Sequence, residues 1–386
     1  MNPSLAFAVA VFLSGPSLAH VHVVDAGGSG HFTTIGAAVA AAVDGDVILV
    51  RPGHYAESVE IDGFGVVLAP EPAGTLLIDG DMFVRNVPLA SHVSITGIHS
   101  SGSLTVEPSE GSVVLQSCVF PGASAPVLDG ITPFYLYYEC GRGQLLNRIE
   151  GARSVTLIDC ALTGPDGANA GWDGSPGANG LTVTSSSVAL YGTTLEGGAG
   201  AGAGKIFGGA GIAGAGGDAL SIKDANSFVF LDDCTLVRGI GGYTPSVPIP
   251  SPHACHGDPI RNAGSPVQTA DHPELTLEVP AVLVGGSTPT LSVAAEEETQ
   301  ALLLHGTTLG WRPFGAPIGL LHLAHVQRII PLGTIPAGGS FELSLAPQEP
   351  ATAGELIEID YQVIGFTDSG RFLSEPRVLV IVHSSL

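Results

Sequence analysis

Between residues 93 and 239 one pattern of apolar and polar positions recurs five times: Val93–Gly102 (VSITGIHSSG), Val113–Gly122 (VVLQSCVFPG), Val155–Gly164 (VTLIDCALTG), Val188–Gly197 (VALYGTTLEG) and Val229–Gly239 (VFLDDCTLVRG). The starts at 93, 113, 155, 188 and 229 are 20, 42, 33 and 41 residues apart. Three of these gaps are one or two multiples of about 20, and self-similarity at such a period marks a solenoid. In each unit the first and third positions are apolar, as in a strand with one face inward, but the next inward positions are the sixth and eighth. This slip of parity predicts a corner: a strand, a bend and a second strand within ten residues, stacked coil on coil. Hairpin dipeptides at Asp79-Gly80 and Asp129-Gly130 are what a flat sandwich would use instead.

Around the repeat the pattern changes. Phe32–Val43 (FTTIGAAVAAAV) is the one convincing helical stretch, and its apolar stripe is suited to close the first coil, as a solenoid end requires. Residues 164–180 and 197–217 are glycine-rich, the first with Gly164, Gly167, Gly171, Gly174, Gly177 and Gly180. Either these are extended excursions that lie against one another, or they are flexible. Tyr243–Pro273 carries seven prolines and no period, which reads as a linker. Beyond it, eight short alternating segments from Leu275 to Val382 predict a separate β-sandwich. The chain is thus expected to be all-β, with a parallel β-helix at 20–243, a linker at 244–273 and a β-sandwich at 274–386.

Composition sharpens this. Of 386 residues 54 are glycine, and only 13% are charged where about 25% is usual, so a helical protein is excluded. Thirteen basic against 36 acidic residues give a net charge of −23, which argues against a nucleic-acid partner. Residues 5–13 (LAFAVAVFL) followed by Ser17-Leu18-Ala19 read as a secretory signal, 1–19, cleaved after Ala19. The apolar run is too short to span a bilayer, and no transmembrane segment is expected. Cleavage there would leave His20-Val21-His22, whose amine, two amides and the His22 imidazole could close a square-planar set for adventitious Cu(II), with His20 as a competing ligand. No other cofactor is expected.

Asp25–Val39 (DAGGSGHFTTIGAAV) with Gly45–Glu57 (GDVILVRPGHYAE) resembles the opening of pectin methylesterases and of the wider pectin-lyase-like superfamily of right-handed parallel β-helices. The resemblance is specific over residues 23–62 and extends loosely to about 243. It implies the fold and, in that family, an esterase. The family's Gln-Asp-Thr-Leu, Asp-Phe-Ile-Phe-Gly and Leu-Gly-Arg-Pro-Trp segments, which supply acid, nucleophile and arginine, are absent here. The nearest strings, Tyr191–Leu195 (YGTTL) and Leu309–Pro313 (LGWRP), lack the carboxylate or fall in the other domain. Tyr55 and Glu57 read as structural.

The remaining candidates are few. Asp232 and Asp233 could serve as the acid and base of a polygalacturonase-like hydrolase. Asp159 holds the same repeat position as Asp233, however, which points to turn chemistry. Cys118, Cys160 and Cys234 all fall at the sixth repeat position and read as a buried row. Cys140 and Cys255 lie outside that row and are the candidate disulfide. His253, Cys255 and His256 have metal-ligating side chains without a second ligand group, and His322 and His325 point to opposite faces of a strand. Glu296–Glu298 reads as a solvated turn. The C-terminal module resembles β-sandwiches appended to large secreted bacterial proteins, which implies attachment or sorting. The expected function is that of a secreted or surface structural or adhesive protein, with polysaccharide or other cell-surface components as partners. The alternative is a lyase, esterase or hydrolase acting on an acidic polysaccharide.

Overall fold

The computed structural model describes residues 19–71, 75–121, 147–168, 173–203, 205–206, 209–210, 213–243 and 254–270, and, in the C-terminal part, 275–280, 282–285, 287–288, 290–306, 309–313, 320–323, 325–336, 339–344, 356–368 and 370–383. The signal at 1–19 falls, but for Ala19, outside the described residues, as do Cys140 and His253.

The repeats build three stacked parallel sheets through which the chain passes in the order A, B, C, coil after coil, an arrangement compatible with a parallel β-helix. Sheet A has nine strands, from Val21–Val24 to Val267–Thr269, and sheets B and C have seven each, from His54–Tyr55 to Thr235–Val237 and from Val59–Asp62 to Ile260–Asn262. The first and third repeat positions form continuous buried rows, Val93, Val113, Val155, Val188 and Val229 beside Ile95, Leu115, Leu157, Leu190 and Leu231. The parity slip is a single residue with left-handed backbone at the fifth position. It is Gly97 (φ 68°), Ser117 (53°), Asp159 (51°), Gly192 (53°) or Asp233 (48°) in successive coils. Glycine and aspartate are among the residues that tolerate this conformation at low cost, which accounts for Asp159 and Asp233 recurring there.

Directly after this corner the sixth-position side chain donates back to the preceding coil. Cys118 Sγ reaches Ile95 O (3.7 Å), Cys160 Sγ Leu115 O (3.5 Å), Thr193 Oγ1 Leu157 O (3.2 Å) and Cys234 Sγ Leu190 O (3.3 Å). A thiol or hydroxyl is therefore interchangeable in this row, and all three cysteines in it are free.

The capping helix is shorter than expected, Ile35–Ala41, because Phe32 bridges to Val24 and the Thr34 hydroxyl caps the helix by accepting from Ala37 N–H. Ile35, Ala38 and Val39 are buried in the coil's core. Glu57 holds the helix in place: its carboxylate accepts from Ile35 N (2.7 Å) and Gly36 N (2.8 Å). Tyr55 ties Ala26 to Arg51, accepting at its hydroxyl from Ala26 N and donating to Arg51 O.

The described residues of the glycine-rich excursions, 164–168, 173–180, 197–203 and 213–217, form a hydrogen-bonded bundle. They leave the coil between sheets B and C and hydrogen-bond every third residue, to one another and to the segment 237–243. Gly197, Gly200 and Ala203 N–H donate to the carbonyls of Val237, Ile240 and Tyr243, while Gly214 and Gly217 donate to Ala201 and Gly198. Three residues per turn is the period of a polyproline II helix, not of a strand. Every third residue faces a neighbouring backbone, so a Cβ on Gly217 would lie 1.8 Å from Ala178 O.

The stretch 244–273 is not all linker: Ile260–Asn262 pairs with Leu220–Ile222 in sheet C, and Val267–Thr269 pairs with Phe228–Asp232 in sheet A, so the coil continues to residue 270. The C-terminal part has its own core and also packs against the coil. Its strands form a three-stranded sheet D, a six-stranded sheet E with five strands in line and the sixth paired at the side, and a short hairpin. Sheets D and E share a core that includes Leu277, Leu291, Val293, Leu303, Val363 and Leu379. The other side of this unit packs on the outer face of sheet A, Val378, Val380 and Val382 against Val21, Val47, Leu49 and Val67. Leu320 packs likewise against Ile158, Tyr191 and Phe230.

Candidate functional site

Along this seam the polar contacts are buried or partly buried. The Tyr191 hydroxyl and His322 Nε2 share a hydrogen bond of 2.7 Å, and burial pushes the His322 imidazole down to about 3, so it is neutral. Burial, followed by the charges of Asp232 and Glu375, holds the Tyr191 phenol well above its usual range. Farther along, His92 Nε2 lies 2.7 Å from Glu358. Burial alone would lower the His92 pKa, but Glu358 and, more weakly, Asp360 and Asp44 lift it to about 9. Asp360 is buried with neither carboxyl oxygen hydrogen-bonded among the described residues, and burial next to Glu358 raises it well above the carboxylate range.

Where the two parts diverge they leave a cleft of about 710 Å³, within the range of small-molecule sites. One wall is the coil corner, with Asp159, Tyr191, Gly192, Asp232 and Asp233; the other is Leu275, Thr276, Glu278, Glu375 and Arg377. Five carboxylates thus face a single guanidinium. That guanidinium is paired on two sides: Nη2 lies 2.8 Å from Asp159 Oδ2 and 2.9 Å from Glu375 Oε1, and Nε donates to Leu277 O (2.7 Å). Glu375 also accepts from Leu277 N–H; burial raises its carboxyl, against the pull of Arg377.

The three sequence-derived carboxylates, Asp159, Asp232 and Asp233, are therefore brought together, at the place their repeat position fixes. Glu278, Glu375, Arg377 and Tyr191 were not foreseen, because Glu278 lies 45 and Glu375 and Arg377 more than 140 positions beyond Asp233, in another unit, and Tyr191 falls at an unremarked fourth repeat position. Among the described residues no group of three or more His, Cys, Asp or Glu side chains is arranged to hold a metal ion. The His20-Val21-His22 segment is built into the first coil. His20 N–H donates to Asp46 Oδ1 (2.7 Å), His22 Nε2 lies 3.0 Å from Asp46 Oδ2, and Val21 and His22 pair with Val47 and Ile48. The Cu(II) chelate would have to break these contacts, since it needs the same amides.

Cys255 is disulfide-bonded, and its expected partner, Cys140, lies outside the described residues. His256 Nδ1 accepts from Gly241 N–H, and His322 is spent on Tyr191 while His325 is exposed. Comparison of the chain with protein-family models, with curated proteins and with solved structures returns no match.

Proposed function

We propose that this is an exported surface protein, a right-handed parallel β-helix of the pectin-lyase-like type with a C-terminal β-sandwich, that serves a structural or adhesive role and holds a neutral polysaccharide in the seam cleft. The observation that carries the ligand reading is the balance of the cleft, five carboxylates against one arginine whose charge is already paired with Asp159 and Glu375. Sugar hydroxyls are donors, and exposed carboxylates such as Asp233 and Glu278 are acceptors for them. A uronate chain, by contrast, would meet like charge and, among the described lining residues, only a cation already ion-paired with two carboxylates. The disulfide at Cys255 supports an oxidising compartment, in keeping with the leader at 1–19.

The test is calorimetric titration with neutral and uronic-acid polysaccharides. Binding of a neutral polymer, weakened about tenfold or more in an Asp233→Asn/Glu278→Gln variant, supports the reading. The enzyme alternative has one favourable observation, carboxylates on both walls of one cleft. Release of reducing ends or unsaturated sugars, lost in Asp233→Asn, would replace the adhesive reading with it.

A further inference from the structure

The two ends of the coil are unlike. At the amino-terminal end the helix Ile35–Ala41 closes the core with Ile35, Ala38 and Val39. At the other end the last strands of the three sheets, Thr235–Val237, Ile260–Asn262 and Val267–Thr269, are each paired on one side only among the described residues. The core shows the consequence. Leu195, Leu220 and Val229 are 0% exposed, whereas their register partners one coil further on, Leu236, Ile260 and Val267, are only partly buried.

Among the described residues the backbone of this end is also unpaired on its outer side. Hydrogen bonds to the preceding coil use Thr235 N, Val237 O, Pro259 O, Ala263 N, Pro266 O and Ala270 N. Because the N–H and C=O of one residue leave a strand on the same side, Leu236, Ile260, Asn262, Val267 and Thr269 direct theirs away from the coil. Solenoids and sheets guard such ends with charge, proline, bulges or a cap. Here the nine edge residues contain no proline and one charge, Arg261, which turns back to Asp218 (2.8 Å) and Asp258 (2.9 Å) of its own wall. Pro259 and Pro266 precede two of the strands, but their carbonyls face the paired side, so they remove no outward N–H. The last layer of the glycine-rich bundle adds Ile240, 66% exposed, and Tyr243, 59% exposed.

We infer that the open end of the coil is a self-association surface, on which a second copy of this chain docks tail to tail about a two-fold axis. A strand edge is satisfied in kind by another strand edge, and the two-fold lays the facing edges antiparallel. The capped amino-terminal end rules out head-to-tail growth, so the assembly closes at two copies. This inference does not depend on what occupies the seam cleft, which lies on the flank of the coil.

The experiment is sedimentation velocity of the full chain from low micromolar to about 100 µM, where a dimer of ordinary affinity is populated. It compares the wild type with an Ile240→Lys/Thr269→Lys variant. Both positions are exposed, so the variant keeps the wild-type melting temperature while bringing like charges together across the two-fold. A monomer–dimer equilibrium weakened at least about tenfold in the variant is expected. A wild type monomeric throughout, a dimer indifferent to the variant, or growth into longer oligomers would each overturn the inference. Hydrogen exchange gives an independent reading: the backbone amides of 236, 260, 262, 267 and 269 should gain protection with concentration, and failure to do so would also overturn it.

Discussion

Replacing Gly217 with alanine tests whether the glycine-rich excursions are a packed bundle. The new Cβ would lie 1.8 Å from Ala178 O, and real Cβ contacts essentially never fall under 3.0 Å, so the two segments must part by about 1.2 Å. That displacement strains three hydrogen bonds of 2.8 Å, from Gly217 N to Gly198 O, from Gly239 N to Gly217 O and from Gly198 N to Ala178 O. At about 0.5–1.5 kcal/mol each, their loss amounts to about 1.5–4.5 kcal/mol, comparable to the cost of overpacking a core. Gly202 is the internal comparison. It lies in the same bundle, but its Cβ would meet only Tyr243 O at 3.0 Å, so Gly202→Ala should cost well under half as much. Hydrogen exchange followed by mass spectrometry reads the effect locally: Gly217→Ala should release protection in peptides covering 173–180, 197–203 and 213–217, while the sheet A peptides 152–158 and 187–191 stay protected. Equal protection in the two variants and the wild type would refute the close-packed bundle.

Leu157→Asp places a charge in the fully buried core row and should abolish the cooperative thermal transition seen by circular dichroism; an unchanged melting temperature would show that the row does not face inward. Burial holds the Cys160 thiol well above its ordinary range and pushes Cys234 up to about 11, so neither should react with iodoacetamide at pH 8 until the protein unfolds. Cys160→Thr should be tolerated, by the precedent of Thr193 in the same row, whereas Cys160→Leu should destabilise by about 1–3 kcal/mol in denaturant titration. The seam should respond to pH in both directions. His92 is raised to about 9 when folded, so its contribution is complete below its unfolded value of 6.5 and lost as pH rises through 9, and the raised Asp360 likewise disfavours rising pH. His322, lowered to about 3, disfavours the opposite change, from 6.5 downward. Melting temperature should therefore peak between these limits, and His92→Gln should flatten the alkaline side only.

Much of the coil could be read from sequence because its signal is redundant. The inward positions, the corner and the sixth-position row each recur in five units, and the helix that closes the first coil sits in the one stretch with helical spacing. The coils before residue 93 were recognised only through the opening segment, since strands such as Asp46–Val50 and Val66–Pro70 are buried on both faces and carry no alternation. The final coil was hidden by prolines that flank its strands without interrupting them. The order of the glycine-rich segments was undecidable from sequence, because a period of three suits packed and unpacked chains alike until the donors and acceptors are paired. The far wall of the cleft was invisible for another reason: Glu375 and Arg377 meet Asp159 through the packing of two units, which no local spacing encodes.

The outer face of sheet A explains why that packing occurs and why the cleft opens where it does. Its even-numbered repeat positions include Val114, Ile158, Ala189, Tyr191 and Phe230, all buried, so this sheet is apolar on both sides. A parallel sheet of that kind must be covered, and the C-terminal unit supplies the cover through Leu320 and the strand Arg377–Val382. In the fourth repeat position the column runs Ile158, Tyr191, Asp232, so the apolar surface ends at the last full coil. There the fifth-position corner also turns acidic, at Asp159 and Asp233. A cover that continued over these carboxylates would have to strip water from several like charges with one guanidinium in compensation. The two units therefore part at this line. Arg377 neutralises the innermost pair, Asp159 and Glu375, and the outer carboxylates keep their solvent, so the cleft is the boundary at which burial stops being favourable.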